Sequence, residues 1–198
     1  MIHSISRRTF LHWSGAGLTT LAAANRASLK AADRMPMRTL GKSGLKVSIL
    51  AFGGGSQFLL AKDGEWEPLL ERSVASGINY FDTSSGYQWR SSKTSEERFG
   101  EILPRYRKSI LVSTKFESRE PDKARKEFER SLQRMKMDYV DFLLIHSIEP
   151  SEDIPALEKG VYRTMLKLKE EKLTRFIGFS SMNSSAKSKE LIETLEVD

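Results

Sequence analysis

The feature that most constrains this chain is a repeated alternation. Short apolar, β-prone runs are followed by longer stretches whose apolar residues fall three and four apart, five times between residue 47 and the end. Val47 to Phe52, Ile78 to Phe81, Ser109 to Thr114, Val140 to Ile145 and Phe176 to Ser181 read as strands. Between and after them, helices are predicted over Glu67 to Ser76, Ser95 to Leu103, from Pro121 through Met135, around Leu157 to Leu168, and Lys187 to Leu195. Leu69, Leu70, Ser73 and Val74 form the inner stripe of the first helix, and Ala124, Phe128, Leu132 and Met135 that of the third. This order predicts an α/β fold with a parallel sheet, because parallel neighbours need a long crossover and a helix supplies one. Ahead of it, Met37 to Val47 places turn residues Gly41 to Gly44 between two β-prone arms, which predicts a hairpin.

Three of the strands run into reactive side chains. The run from Ile78 ends on Asp82, with Tyr87 five residues further on in a Ser/Gly loop; the run from Ser109 ends on Lys115, and that from Val140 on His146. Parallel strands share one carboxyl-end rim, where α/β proteins place their binding and catalytic groups. Asp82, Tyr87, Lys115 and His146 are therefore expected together. A phenol, with a reference pKa of ~10, is a poor acid near neutrality, and a neighbouring ammonium lowers that value. Asp82 would orient Lys115, and His146 would donate a hydrogen bond to a substrate oxygen as charge builds there. Taken singly, each residue has a plainer reading, as a rim ion pair, a loop aromatic or a core histidine. Four suitable types in order at strand ends favour a site.

The segments Phe81-Asp82-Thr83-Ser84-Ser85-Gly86-Tyr87, Ser113-Thr114-Lys115 and Leu143-Leu144-Ile145-His146 resemble the aldo-keto reductases. So does Ser95-Glu96-Glu97 with Gly100 behind the tyrosine loop, and the whole run from Ser131 to His146. The resemblance implies a (β/α)8 barrel whose bottom is plugged by the hairpin. A full barrel takes ~250 residues, so this chain would hold about the first five units. It also implies hydride transfer from NADPH, or NADH, to a small-molecule aldehyde or ketone. Tyr87 would be the proton donor, with Asp82, Lys115 and His146 completing the tetrad. Gly54, Asp82, Ser180 and Ser181 would lie at the cofactor. The chain departs from the family at Ser181, where asparagine is usual, and at Lys172, where glycine is common. Little activity is expected of these residues alone, and the alternative is a non-catalytic binding or regulatory protein on the same fold. A metal-dependent hydrolase would lack its acidic and histidine ligands, and no metal site is expected.

Residues 1–32 read as a targeting segment and 36–198 as the barrel domain. Ser6-Arg7-Arg8-Thr9-Phe10-Leu11 resembles a twin-arginine signature, followed by a weakly apolar stretch from Trp13 to Ala24 and small residues at Ala22, Ala24 and Ala27. That stretch is too short to span a membrane. It predicts export, to a periplasm or beyond, with the twin-arginine machinery as a partner. The leader also carries much of the formal charge of +6, since four basic residues precede the first acid, Asp33. Without those four, 28 basic residues face 26 acidic ones, which argues against a nucleic-acid partner. Arg105 to Lys108 reads as a solvated helix end. The absence of cysteine excludes disulfides. Trp89 stands alone in a polar insert, either lining a substrate mouth or simply exposed.

Overall fold

The computed structural model describes residues 35–198; the predicted export signal at 1–32 lies outside the described residues. Strands β1 (Met37–Thr39) and β2 (Lys46–Ser48) form the expected antiparallel hairpin, with Met37 opposite Ser48. Gly41 at φ +47° and Gly44 at φ +72° supply the left-handed backbone its turn needs.

The main sheet takes β3 (Phe52–Gly53), β4 (Tyr80–Asp82), β5 (Leu111–Phe116), β6 (Val140–Ile148) and β7 (Thr174–Ser181) in chain order, every pair parallel. This is an arc of the α/β barrel type that the alternation predicts. The first strand differs from its predicted span of Val47 to Phe52. Val47 and Ser48 belong to the hairpin, Ile49 and Leu50 are exposed, and only two residues pair with β4. Asn79 is the physical reason. Its side chain accepts from Ser48 N–H at 2.8 Å and donates to Lys46 O at 2.8 Å, while its own N–H donates to Ser48 Oγ at 3.1 Å. A side chain thus takes hydrogen bonds that a strand ladder would otherwise make.

Helices cover the outer face: α1 (Ser56–Leu60), α2 (Trp66–Ala75), α3 (Ser95–Ile102), α4 (Pro121–Met135), α5 (Ile154–Leu157), α6 (Arg163–Glu170) and α7 (Ser185–Thr194). Between helices and sheet, Phe81, Val112, Leu143 and Ile177 pack with Leu70, Phe99, Phe128, Met165 and Leu191 in one buried core. In α2, Trp66 and Leu70 carry the packing, whereas Leu69, expected inside, is exposed. The cap of α3 is Thr94, just ahead of the predicted start at Ser95: Thr94 Oγ1 accepts from Glu97 N–H, and the Glu97 carboxylate accepts from Thr94 N–H at 2.6 Å. Those bonds hold the Glu97 carboxyl below its ordinary range. Gly100 is where α3 meets the end of α4. A Cβ there would run into the Arg134 carbonyl and the Met135 backbone, so nothing larger fits.

The basic run before β5 is not simply solvated. Arg107 pairs with Asp141 at 2.9 Å and lies over the Tyr139 ring at 3.9 Å, its side chain 15% exposed. Among the described residues no helix is long and apolar enough to cross a membrane.

Lys172, at a position where the family resemblance expects glycine, does adopt the left-handed conformation, at φ +62°. A side chain there costs on the order of 1 kcal/mol. Lys172→Gly is therefore expected to stabilise the domain by about 1 kcal/mol, read as a rise of roughly 2–4 °C in melting temperature. A fall would show that the lysine side chain matters more than the backbone.

Candidate active site

Strand alternation sorts the site residues onto one face. Phe81, Val112, Leu143 and Ile145 point at the helices, so Asp82, Ser113, Lys115, Phe142 and His146 point to the concave side. Register then sets their heights. Asp82 is level with Ser113, and Ser113 with Phe142; Lys115 is level with Leu144 one step higher, and His146 lies one step above that. The strand-end acid, amine and imidazole thus climb the rim on successive strands.

Lys115 is buried and fully oriented. Its Nζ donates to Asp82 Oδ2 at 2.7 Å and to the Thr83 carbonyl at 2.7 Å, while Asp82 Oδ1 accepts from Ser113 Oγ at 2.6 Å. The same ammonium lies 5.0 Å from the centre of the Tyr87 ring. That ring in turn meets the His146 imidazole at 5.5 Å between centroids, edge to face. The four predicted residues are brought together. The Tyr87 hydroxyl has no hydrogen-bond partner among the described residues, which leaves it free for a ligand.

The loop that carries Tyr87 is fixed at both ends. Ser85 N–H donates to the Lys115 carbonyl at 3.0 Å, Tyr87 N–H to Ser84 O at 3.1 Å, and Ser95 N–H to Tyr87 O at 2.8 Å. Behind it Glu96, wholly buried, accepts from Thr114 Oγ1 at 2.6 Å and from Arg134 at 3.3 Å. Burial raises the Glu96 carboxyl above its usual value, with those hydrogen bonds opposing. Beside Tyr87 opens a cavity of about 330 Å³ lined by Gly55, Ser56, Leu59, Gly86, Gln88 and Trp89. Trp89 is thus both exposed and part of the wall.

The residues expected at a cofactor are less alike than their spacing suggested. Gly54 donates its N–H to Asp82 O at 2.7 Å, and a Cβ there would collide with Ser95, which ties this glycine to packing under the rim. Ser180 Oγ accepts from Ser147 N–H at 3.0 Å and keeps its own O–H to give. The Ser181 hydroxyl is directed at the carbonyls of Ile148 and Ser184, at 3.2 and 3.3 Å. One free hydroxyl donor next to the His146 strand end suits the polar carboxamide end of a nicotinamide ring, and the free phenol is left for a second ligand. Among these residues the fit is adequate, with Ser180 rather than Ser181 as the donor.

Three residues escaped the sequence reading. Glu117 Oε1 lies 2.5 Å from His146 Nδ1 and accepts from Ser84 Oγ at 3.0 Å. Arg119 donates to the carbonyls of His146 at 2.8 Å and Ser147 at 3.3 Å, and pairs with Glu152 at 2.5 Å. Glu127 accepts from the N–H groups of Glu117 and Ser118 at 2.9 and 3.2 Å, and from the Ser85 hydroxyl. The signal for Glu117 was its parity. Two residues beyond Lys115, it falls on the same face, and pairing of Phe116 with Ile145 carries it level with His146.

Fold and rim together define an α/β-barrel type of protein with an Asp-Tyr-Lys-His cluster at its strand ends. Residues 51–197 match the model of the aldo/keto reductase family, and the chain belongs to that family. It is 34% identical over 168 residues to L-galactose dehydrogenase of Arabidopsis thaliana, covering 75% of this chain and 49% of that protein. It is 30% identical over 164 residues to the oxidoreductase YqkF of Bacillus subtilis, with the same two shares. Among solved structures it is similar to the holo form of the aldo-keto reductase AKR11C1 from Bacillus halodurans. There the TM-score is 0.72 at 25% identity, over 83% of this chain and 56% of that one. The chain spans about half the length of the curated relatives it matches.

Proposed function

We propose that the protein carrying this chain is a nicotinamide-dependent oxidoreductase that interconverts a small-molecule carbonyl and its alcohol. The observation that carries the reading is Lys115, held by Asp82 and Thr83, directly beside the ring of Tyr87. An ammonium so placed would stabilise negative charge that develops on the phenol as its proton is given up. Tyr87 is the proton donor, Lys115 tunes it, Asp82 orients Lys115, and His146 meets the substrate oxygen. A bound nicotinamide would supply the hydride, since no side chain can. Ser180 would hold its carboxamide, with Asp82 and Gly54 close by and Ser181 contributing only through its backbone.

NADPH is the favoured form, with NADH second. The relatives named as dehydrogenase, oxidoreductase and holo aldo-keto reductase support the class of chemistry. The leader with Arg7 and Arg8 supports export by the twin-arginine route to a periplasmic or extracellular site, a route suited to a protein that folds around its nucleotide first. On this reading residues 1–32 are removed and 36–198 belong to the working domain.

The test is consumption of NADPH, followed by absorbance, on adding an aromatic aldehyde such as benzaldehyde. Aldehyde-dependent oxidation above the protein-free rate is expected. Tight NADPH binding without any turnover, across a panel of aldehydes and ketones, would favour a non-catalytic binding protein instead.

A further inference from the structure

A second cavity lies behind the loop that carries Tyr87. Of about 380 Å³, it has Ser85 and Gly86 on one side and Lys123, Lys126, Arg130 and Arg134 of α4 on the other. That volume falls in the range of small-molecule pockets, about 300–1,000 Å³. Residues three and four apart share one face of a helix, so the four cations form a single row.

The carboxylates nearby are committed to other partners. Glu127, which also lines the cavity, accepts from Glu117 N–H at 2.9 Å, from Ser118 N–H at 3.2 Å and from the Ser85 hydroxyl. Glu120 caps α4, accepting from Asp122 N–H at 3.1 Å and Lys123 N–H at 2.9 Å. Asp122 and Glu129 lie outside the wall, and Glu129 pairs at 2.9 Å with Arg125, which also meets Glu171 at 2.7 Å. Arg134 reaches Glu96 at 3.3 Å and the Ser85 carbonyl at 3.2 Å. Among the described residues, Lys123, Lys126 and Arg130 have neither an ion pair nor a side-chain hydrogen bond. Four cations thus line a cavity that holds one carboxylate. Like charges at these spacings repel along a helix, and a counter-charge from outside would relieve them.

We propose that this cavity binds a small molecule bearing more than one phosphate group, with Lys126 and Arg130 as its central contacts. The row from Lys123 to Arg134 extends about 16 Å along the helix axis, more than a single anionic group can engage. A polyphosphate supplies several negative charges and enough acceptor oxygens for ammonium and guanidinium donors at once. Gly86 lines both this cavity and the one beside Tyr87, and Arg134 and Glu127 hold Ser85 from this side. Occupancy is therefore felt at the Tyr87 loop. The site stands on the charge and shape of its own wall and does not depend on the role of Tyr87 in catalysis.

The test is titration calorimetry of the whole protein with inorganic tripolyphosphate in about 0.15 M sodium chloride, where exposed charges more than about 8 Å apart are screened. One tripolyphosphate per chain is expected, with the backbone amide signals of Ser85 and Gly86 moving in ¹H–¹⁵N spectra. Lys126→Gln and Arg130→Gln should each weaken binding about tenfold, since each removes a charge-assisted contact. Arg125→Gln, which takes the same charge from the same helix outside the cavity, should leave binding within about twofold of wild type. All three side chains reach solvent, and far-ultraviolet circular dichroism checks that the fold is kept. Absence of saturable binding, equal losses in Arg125→Gln and Arg130→Gln, or unmoved Ser85 and Gly86 amides would overturn the site. So would attachment to phosphatidylglycerol vesicles without uptake of free tripolyphosphate, which would make the row a membrane-facing surface. None of these measurements involves turnover or a nicotinamide, so their failure is separable from that of the NADPH assay.

Discussion

Tyr87→Phe is expected to lower aldehyde-dependent NADPH oxidation by about 10²- to 10⁴-fold, the range a positioned acid contributes. The loss should fall on kcat, because the ring that lines the cavity remains and only the proton is gone. Stability should barely change. The phenolic oxygen has no partner among the described residues, and the ring keeps its contact with His146 at 5.5 Å between centroids. An unchanged kcat in the phenylalanine variant, with far-ultraviolet circular dichroism like wild type, would remove Tyr87 from the chemistry. A rise in KM at constant kcat would instead make it a binding residue.

Asp141→Ala should be the most damaging single change to stability away from the rim, at about 3–5 kcal/mol. Asp141 is fully buried, and its two oxygens take Val112 N–H at 2.9 Å, Arg107 at 2.9 Å and Arg175 at 2.7 Å. Removing the carboxylate leaves the largely buried Arg107 guanidinium without its counter-charge, with only the Ile110 and Tyr139 carbonyls as partners, and frees a strand N–H in the sheet interior. Arg175 is exposed enough to find water, so its loss of a partner adds little. Urea unfolding followed by tryptophan fluorescence reads the difference, and a loss under 1 kcal/mol would mean that Arg107 relaxes outward. Arg107→Met combined with Asp141→Leu should recover part of the deficit, as paired replacement removes both buried charges together.

What could be read from the sequence follows from which signals are local. Strands β4, β5, β6 and β7 are largely apolar runs with a polar residue at or near the carboxyl end, and both parts of that pattern lie within a few positions of each other. The rim quartet was legible for the same reason, once the parallel order was inferred. The first strand was misread because Ile49 and Leu50 look like core, while the bonds that tie Lys46 and Ser48 into the hairpin come from Asn79, far along the chain just ahead of β4. Arg107 was misread likewise: nothing near it announces Asp141 on β6. Glu117 lay within reach of parity but was overlooked beside Lys115, since a half-exposed glutamate looks like ordinary surface. The two serines at the end of β7 show the opposite limit. Their spacing placed them at the rim, but only the bonds they make tell the free hydroxyl of Ser180 from the occupied one of Ser181.

Because Asp82, Lys115 and His146 sit on strands whose side chains alternate in and out, gaining or losing one residue in β5 ahead of Lys115 or in β6 ahead of His146 would turn the amine or the imidazole outward toward the helices. Length variation in descendants of such a chain is therefore confined to the segments past the strand tips, such as the stretch from Gln88 to Thr94. Substrate range can drift there by insertion and deletion while the chemistry stays locked to the pleat.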